Sequence, residues 1–450
     1  MEDKRIKILR DMDTGKAISK LSIPAIIGFM VMAAYNIADT IFVSWWNYKG
    51  AAAVQVVFPI MMAASAIGLS FGIGGGSYIS RLLGENRREN ADSVVTTSLI
   101  TGIGVAVLYI GGCFLFMEEL VRMFGAEGEM VALSVDYANC IVLGTIFVIP
   151  SMVLNNSLRA EGSAKYSMTG MGLGSLINIA LDPIFIFTFD MGIEGAAIAT
   201  ILSQGISFAI LYYFYLRKKT VLEIKLKYFK PSRELYSEIL KIGLPTFFRQ
   251  MLFSVSMGLL NEGARALGGD YLLSAMGIAI KVTSFQGFII FGLGQGLQPV
   301  VGYNYGAKNM ERVFSAQKHG FVKSFRASLL VGVIMVVFAR QIMMIFTDEQ
   351  RVIEYGILAI RSLSYASIFM SISNNISVVF QSVGHAKAAL LFSILRQGVF
   401  LIPAIQFMPR FFGFSGLVNA QLAADVLTLL ASLLFYVPYI RGEMAKASSV

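Results

Sequence analysis

A chain of 450 residues that is 56% hydrophobic and 14% charged, with a mean hydropathy of +0.68, is too apolar for a soluble domain. Its net charge of +9 would suit a nucleic-acid ligand, but the basic residues follow a topological pattern that argues against one. Two cysteines, Cys113 and Cys140, and two histidines, His319 and His385, offer no disulfide framework, metal cluster or nucleophile–base pair, so no cofactor and no enzyme chemistry are expected.

A bilayer core about 30 Å thick needs roughly 20 apolar residues per helical crossing. Apolar runs of that kind fall at 17–46, 52–81, 93–117, 130–156, 166–189, 195–216, 236–264, 272–302, 318–345, 353–380, 388–408 and 416–440. The expected fold is therefore an all-α integral membrane protein of twelve transmembrane helices. The first twenty residues are basic and polar, and no small-residue cleavage site follows, so no removable signal is expected. With the N-terminus inside, about 27 of the 37 Lys and Arg fall on the N-terminal segment and the inner loops. The 217–241 stretch alone carries Arg217, Lys218, Lys219, Lys225, Lys227, Lys230, Arg233 and Lys241. This asymmetry places both termini in the cytoplasm. Trp45, Trp46 and Tyr48 would form an outer aromatic belt, and Tyr212, Tyr213 and Tyr215 an inner one.

The chain repeats itself at an offset of 221 or 222 residues. Pro24 parallels Pro245; Gly72, Gly74, Gly84 and Glu89 fall on Gly294, Gly296, Gly306 and Glu311; Gly162 and Lys165 fall on Gly384 and Lys387. Two six-helix bundles entering the membrane in one orientation should be related by a pseudo-two-fold along the membrane normal, with the substrate path between them. The division expected is an N-terminal lobe over 1–216, a linker over 217–235 and a C-terminal lobe over 236–450. The "GIGGGS" stretch at 72–77 resembles a phosphate loop, but it follows no strand, and close helix packing is the better reading.

Ionisable residues inside a bilayer are costly and mark function. Asp39 in the first span and Asp182 in the fifth both sit about 10 Å below the outer boundary, counted at about 1.5 Å per residue. Thr200 in the sixth span and Tyr137 in the fourth reach the same depth. Asn178 lies one turn from Asp182 on the same helix face, and Tyr35 and Asn36 stack below Asp39. Two carboxylates in low dielectric do not both stay charged without compensation, so a shared proton or a bound cation is expected, with Na⁺ a candidate at Asp39, Asn178, Asp182 and Thr200. The second half lacks this cluster: Asn261 stands opposite Asp39, and the eleventh span offers Arg396 and Gln397. Gln286, Gln295 and Gln298, with Lys281, make the eighth span polar, and they join Tyr35, Asn36 and Asn155 as candidate substrate contacts. The sequons at Asn155 and Asn375 face the inner side, where glycosylation is not expected.

The stretches "YNIADTIFVSW", "GGGSYISRLLGENRREN", "NNSLRAEGSAK", "LINIALDPIFIF" and "GIEGAAIAT" resemble the multidrug and toxic compound extrusion (MATE) transporters, closest to their bacterial multidrug-efflux branch, and in order along nearly the whole chain. The resemblance implies a V-shaped pair of six-helix bundles in the bacterial plasma membrane. Such an antiporter exports small amphipathic organic cations in exchange for H⁺ or Na⁺ by alternating access. It also implies that Asp39, Asn178, Asp182 and Thr200, with Tyr137 nearby, form the cation site. The essential acid that one branch carries in the seventh and tenth spans is absent: Gln250 stands near the first place, and the tenth span has no acid after Glu354. The partners expected are these organic cations and membrane lipids, with no nucleic acid and the chain monomeric. The alternative is a flippase for lipid-linked saccharide precursors, which would need a cationic cavity; Lys281 and Arg396 keep it open.

Overall fold

The computed structural model describes residues 4–46, 48–128 and 130–448. Among them there is no strand; the chain runs as α1 (Lys4–Arg10), α2 (Thr14–Trp46), α3 (Tyr48–Gly84), α4 (Arg88–Leu115), α5 (Met117–Met123), α6 (Met130–Leu143), α7 (Thr145–Ala160), α8 (Ala164–Pro183), α9 (Gly192–Leu216), α10 (Arg233–Gly306), α11 (Met310–Val337), α12 (Ala339–Phe346), α13 (Gln350–Ser382), α14 (Ala386–Ile394) and α15 (Ile402–Ser448). Wide-turn π segments extend α8 over Ile184–Thr188 and join α14 to α15 over Leu395–Leu401.

By length and apolarity, nine helices of the described residues can cross a membrane, or ten if α6 and α7, bent by 43°, are one span. This is fewer than twelve for a geometric reason. As one rod, the 74 residues of α10 would run about 110 Å, far beyond a bilayer core of about 30 Å. Gly269 interrupts α10 with φ 58° and ψ −151°, and Gly413 interrupts α15 with φ 54° and ψ −136°. Those dihedrals belong to glycine almost alone, so each marks a kink at which two helices join.

The contacts between the two halves repeat with the sequence. A Cβ on Gly74 would lie 2.1 Å from the Ile239 carbonyl oxygen and 3.1 Å from the Gly243 nitrogen. Its repeat partner Gly296 stands in the same relation to Ile18 and Ser22, at 2.7 Å and 2.8 Å from the matching backbone atoms. Likewise a Cβ on Gly84 would lie 2.0 Å from the Tyr303 carbonyl oxygen, and one on Gly306 would lie 2.1 Å from the Arg81 carbonyl oxygen. Residue i meets j while its repeat meets the repeat of j, which is how a two-fold axis arranges an interface. The glycines of "GIGGGS" are thus packing residues, as the sequence suggests.

These crossings lie at the ends of the helices that carry the basic loops, here called the basic face. The same face holds further ties between the halves. Arg81 pairs with Glu238 at 3.1 Å, the Asn304 amide donates to the Leu9 carbonyl at 3.0 Å, and Arg312 donates to the Met12 carbonyl at 2.6 Å. Thr14 meets the His319 ring at 2.9 Å and Ser315 at 2.8 Å. The N-terminal residues therefore hold on to the second lobe, although they belong in sequence to the first.

The linker, in turn, is stitched to the first lobe. The Val221 and Leu222 N–H groups both donate to one Glu161 oxygen at 2.9 Å, and the Glu223 N–H donates to Asp92 at 2.7 Å. Val221 and Leu222 are buried with Glu161. Burial pushes the Glu161 carboxyl up to about 7, against the Ser163 hydroxyl, the Leu222 N–H, the Arg5 charge and the Val221 N–H. Of the expected belts, Trp45 is exposed and Tyr213 half so, whereas Tyr215 is buried in the core rather than anchoring a surface. The Tyr48 side chain lies outside the described residues.

Two measurements check this packing. Gly74→Ala and Gly296→Ala force backbones apart, so each should lower stability by about 1–3 kcal/mol in thermal melts, whereas Gly104→Ala, with nothing within 4 Å, should not. Between its ordinary value of 4.5 and about 7, folded Glu161 keeps a proton that the unfolded chain has lost, so stability falls as pH rises through that window. Local opening at Val221 and Leu222, read by hydrogen exchange corrected for intrinsic rates, should become easier from pH 5 to pH 8 in the native chain and stay flat in Glu161→Gln.

Candidate functional site

The last turn of α8 is shaped by Pro183, which has no N–H to offer the carbonyl of Ile179. The helix then widens into the π segment, closed by the Phe189 N–H on the Ile184 carbonyl at 2.9 Å. Wide turns of this kind recur at functional sites. Asp182, immediately before the proline, is fully buried, and Asn178 is 2% exposed. The Asn178 amide donates to Asp182 Oδ1 at 3.1 Å and to Thr200 Oγ1 at 3.3 Å, tying α8 to α9.

Thr200 is held there by the glycines of "GIEGAAIAT". Gly192 (φ 55°) makes the turn into α9, against the Trp46 indole. A Cβ on Gly195 would lie 2.7 Å from the Phe185 carbonyl, so glycine lets α9 close on the π segment. Asp39 of α2 is half-buried and lies within electrostatic reach of Asp182. The hydroxyls of Tyr137, buried on α6, and of Tyr35 on α2 lie within electrostatic reach of both carboxylates. Six of the seven residues read from sequence as one outer cluster, Asp39, Tyr35, Tyr137, Asn178, Asp182 and Thr200, thus come together from four spans.

Two acceptors of this cluster, Asp182 Oδ2 and Asn178 Oδ1, are buried with no donor among the described residues. A buried oxygen without a partner costs about 1–3 kcal/mol, so such a pair is where a proton, a water or a hard cation gains most. With Thr200 Oγ1 they make an all-oxygen donor set, the kind that hard cations take.

Other candidates stand elsewhere. Asn36 is exposed and donates to its own helix at the Met32 carbonyl, 2.8 Å. Asn155 is buried among Arg159 and Ser167, where it fastens α7 to α8. Gln286 is fully buried; its amide donates to the Ser328 carbonyl at 2.8 Å and the Ser364 carbonyl at 3.3 Å, joining α10 to α11 and α13. It too packs rather than lines. Gln295 is half-buried, and the buried Gln298 amide nitrogen has no acceptor. Both sequon asparagines are buried.

The second lobe holds what the sequence reading left unconnected. Arg396 pairs with Asp425 through two bonds, 2.6 Å and 3.3 Å, and Gln421 donates to the second Asp425 oxygen at 2.9 Å. Asp425 is 1% exposed. The signal was present as an acid and a base in adjacent spans, but their helical facing was not. This pairing neutralises one of the two cations on which the flippase alternative rests.

Residues 24–184 and 245–405 each match the MatE family model, and the two stretches begin 221 residues apart. The chain is 29% identical over 443 residues to Multidrug export protein MepA of Staphylococcus aureus (strain MRSA252), covering 96% of each. Its structure is similar to the outward-facing conformation of a multidrug resistance MATE family transporter of the MOP superfamily, with TM-score 0.94 and 31% identity over 99% of this chain and 100% of that one. It is also similar to a MATE crystal structure in the bent conformation, with TM-score 0.93 and 30% identity over the full length of both. Both halves match one family model and the whole chain superposes on solved members, so the chain belongs to the MATE family and is a multi-pass membrane transporter of the multidrug-export kind.

Proposed function

We propose that the protein is a cation-coupled antiporter that exports small amphipathic organic cations from a bacterial cell across its plasma membrane. H⁺ or Na⁺ entering from outside is the coupling ion. In this reading α10 and α15 each cross twice, reversing at Gly269 and Gly413, and α6 with α7 makes one broken crossing, which gives twelve. The basic face is then cytoplasmic and carries both termini, and the protein works as a monomer among lipids. The observation that carries the coupling is the pair of donorless buried oxygens, Asp182 Oδ2 and Asn178 Oδ1, beside a second carboxylate.

An ion or proton arriving at Asp182 and Asp39 removes the like-charge conflict and supplies the missing partner. Asn178 and Thr200 orient the acceptors, and Tyr137 and Tyr35 close the level around them. The empty, acidic site attracts the next organic cation, and loading it again favours release. The lobes meet on the basic face, which supports a cleft open to the opposite side, as in the outward-facing relative. Alternating access then consists of exchanging that closed face for one at the other end.

Dye uptake into inverted vesicles, driven first by a pH gradient and then by a Na⁺ gradient, tests the reading. Asp182→Asn and Asp39→Asn should each cut ion-driven uptake by about tenfold or more, since the lost interaction is worth more than about 1.4 kcal/mol. Unchanged uptake by both well-folded variants would sink the coupling site. Whichever gradient alone drives uptake identifies the ion.

A further inference from the structure

A second charged centre lies in the C-terminal lobe, and the coupling scheme does not use it. Arg249 stands on α10, about thirteen residues past the point where the helix leaves the basic face. At about 1.5 Å per residue this is near the middle of the membrane. Among the described residues it makes no hydrogen bond and no salt bridge. The carboxylate beside Arg396, Asp425, is already engaged by Arg396 and Gln421 on both oxygens. Arg249 and Arg396 lie within electrostatic reach of each other, so the two arginines and one aspartate leave an excess positive charge.

Arg249 and Arg396 line a cavity of about 30 Å³ inside the lobe, with Ser373, Asn374, Ser377 and Thr428 on its walls. Ser373 and Thr428 donate their hydroxyl protons to carbonyls of their own helices. Ser377 instead accepts from Gln381, which leaves its proton free, and Asn374 makes no hydrogen bond among the described residues. The donors aimed at the cavity are therefore a guanidinium, an amide and a hydroxyl. An unpaired cation at this depth is expensive to keep and by default marks a ligand site. A cavity of this size takes one or two waters, or a single carboxylate head, and is too small for a pyrophosphate.

We infer that Arg249, Asn374 and Ser377 form an anion subsite that takes the carboxylate of a zwitterionic amphipathic substrate. The inference rests on the multidrug-export reading, and it places the apolar body of the substrate outside the cavity. A charge-assisted bond from guanidinium to carboxylate is the interaction that would discriminate.

The test is binding without any gradient, so that coupling does not enter. Fluorescence anisotropy with the full-length protein in lipid nanodiscs would compare a rhodamine bearing a free carboxylate with the same dye as its ethyl ester. The native protein should prefer the carboxylate form by about tenfold, the worth of one charge-assisted hydrogen bond. Arg249→Gln should abolish that preference by weakening the carboxylate dye alone, and Arg249→Lys should keep part of it. Asn374→Ala and Ser377→Ala, which remove no charge, should each narrow the preference and guard against a misfolded arginine variant. Equal binding of both dyes by the native protein, or parallel loss of both in Arg249→Gln, would overturn the subsite. If neither dye binds the native protein, the export reading falls and the subsite falls with it.

Discussion

The contact on which the architecture depends is backbone against backbone. Gly74 lies on the Ile239 carbonyl and Gly296 on the Ile18 backbone, with Gly84 and Gly306 repeating the arrangement one layer further towards the basic face. Lipid tails are as apolar as leucine, so two lobes in a membrane gain little by hiding hydrophobic surface from each other. Close approach of small residues supplies the packing instead. Any side chain at these four positions would wedge the lobes apart, and the ties around them, such as Arg81 to Glu238, would lose their reach.

Much of this was legible in the sequence because the repeat offset paired the glycines before any geometry was known. The two carboxylates were legible for a similar reason: depth along a helix follows from residue count alone. Rotation about the helix axis does not. Gln286 and Asn155 look like lining residues in a linear reading, yet Gln286 turns towards Ser328 and Asn155 towards Ser167. Arg396 and Asp425 sit in adjacent spans and could have faced apart; only the fold brings them to 2.6 Å. The helix breaks were half legible. Gly269 and Gly413 fall in the short stretches between successive apolar runs, but a positive φ leaves no mark that other glycines lack.

The repeat in backbone does not extend to chemistry. In the first-lobe cluster two acceptors, Asp182 Oδ2 and Asn178 Oδ1, have no partner among the described residues. In the second, an acid is saturated and a guanidinium is left over. The π segments differ as well. In the first lobe the segment follows Pro183 beside Asp182; in the second it carries Arg396 itself, over Leu395–Leu401. Both wide turns therefore lie against a charged group, but of opposite sign. Two lobes with the same path and opposite electrostatics can receive different parts of one cycle, cations in one and the anionic end of an organic ligand in the other.

One helix joins that chemistry to the interface. α2 carries Asp39 near one end, and near the other Ile18 and Ser22, the residues against which Gly296 packs. About 25 Å separates them along the axis. Between them lies Pro24, and a Cβ on Gly292 of the other lobe would come within 3.0 Å of the backbone two residues further on, at Ile26. The proline removes one rung of the helix ladder, so the two parts of α2 can change their mutual angle without breaking further hydrogen bonds. In the proposed cycle a change in charge at Asp39 would alter how the upper part sits against α8, while the lower part is held to the second lobe by backbone contact. Coupling through α2 therefore needs no long chain of intermediates. It needs a rigid contact at one end, a titratable or ion-binding group at the other and a bend between them, and this helix has all three.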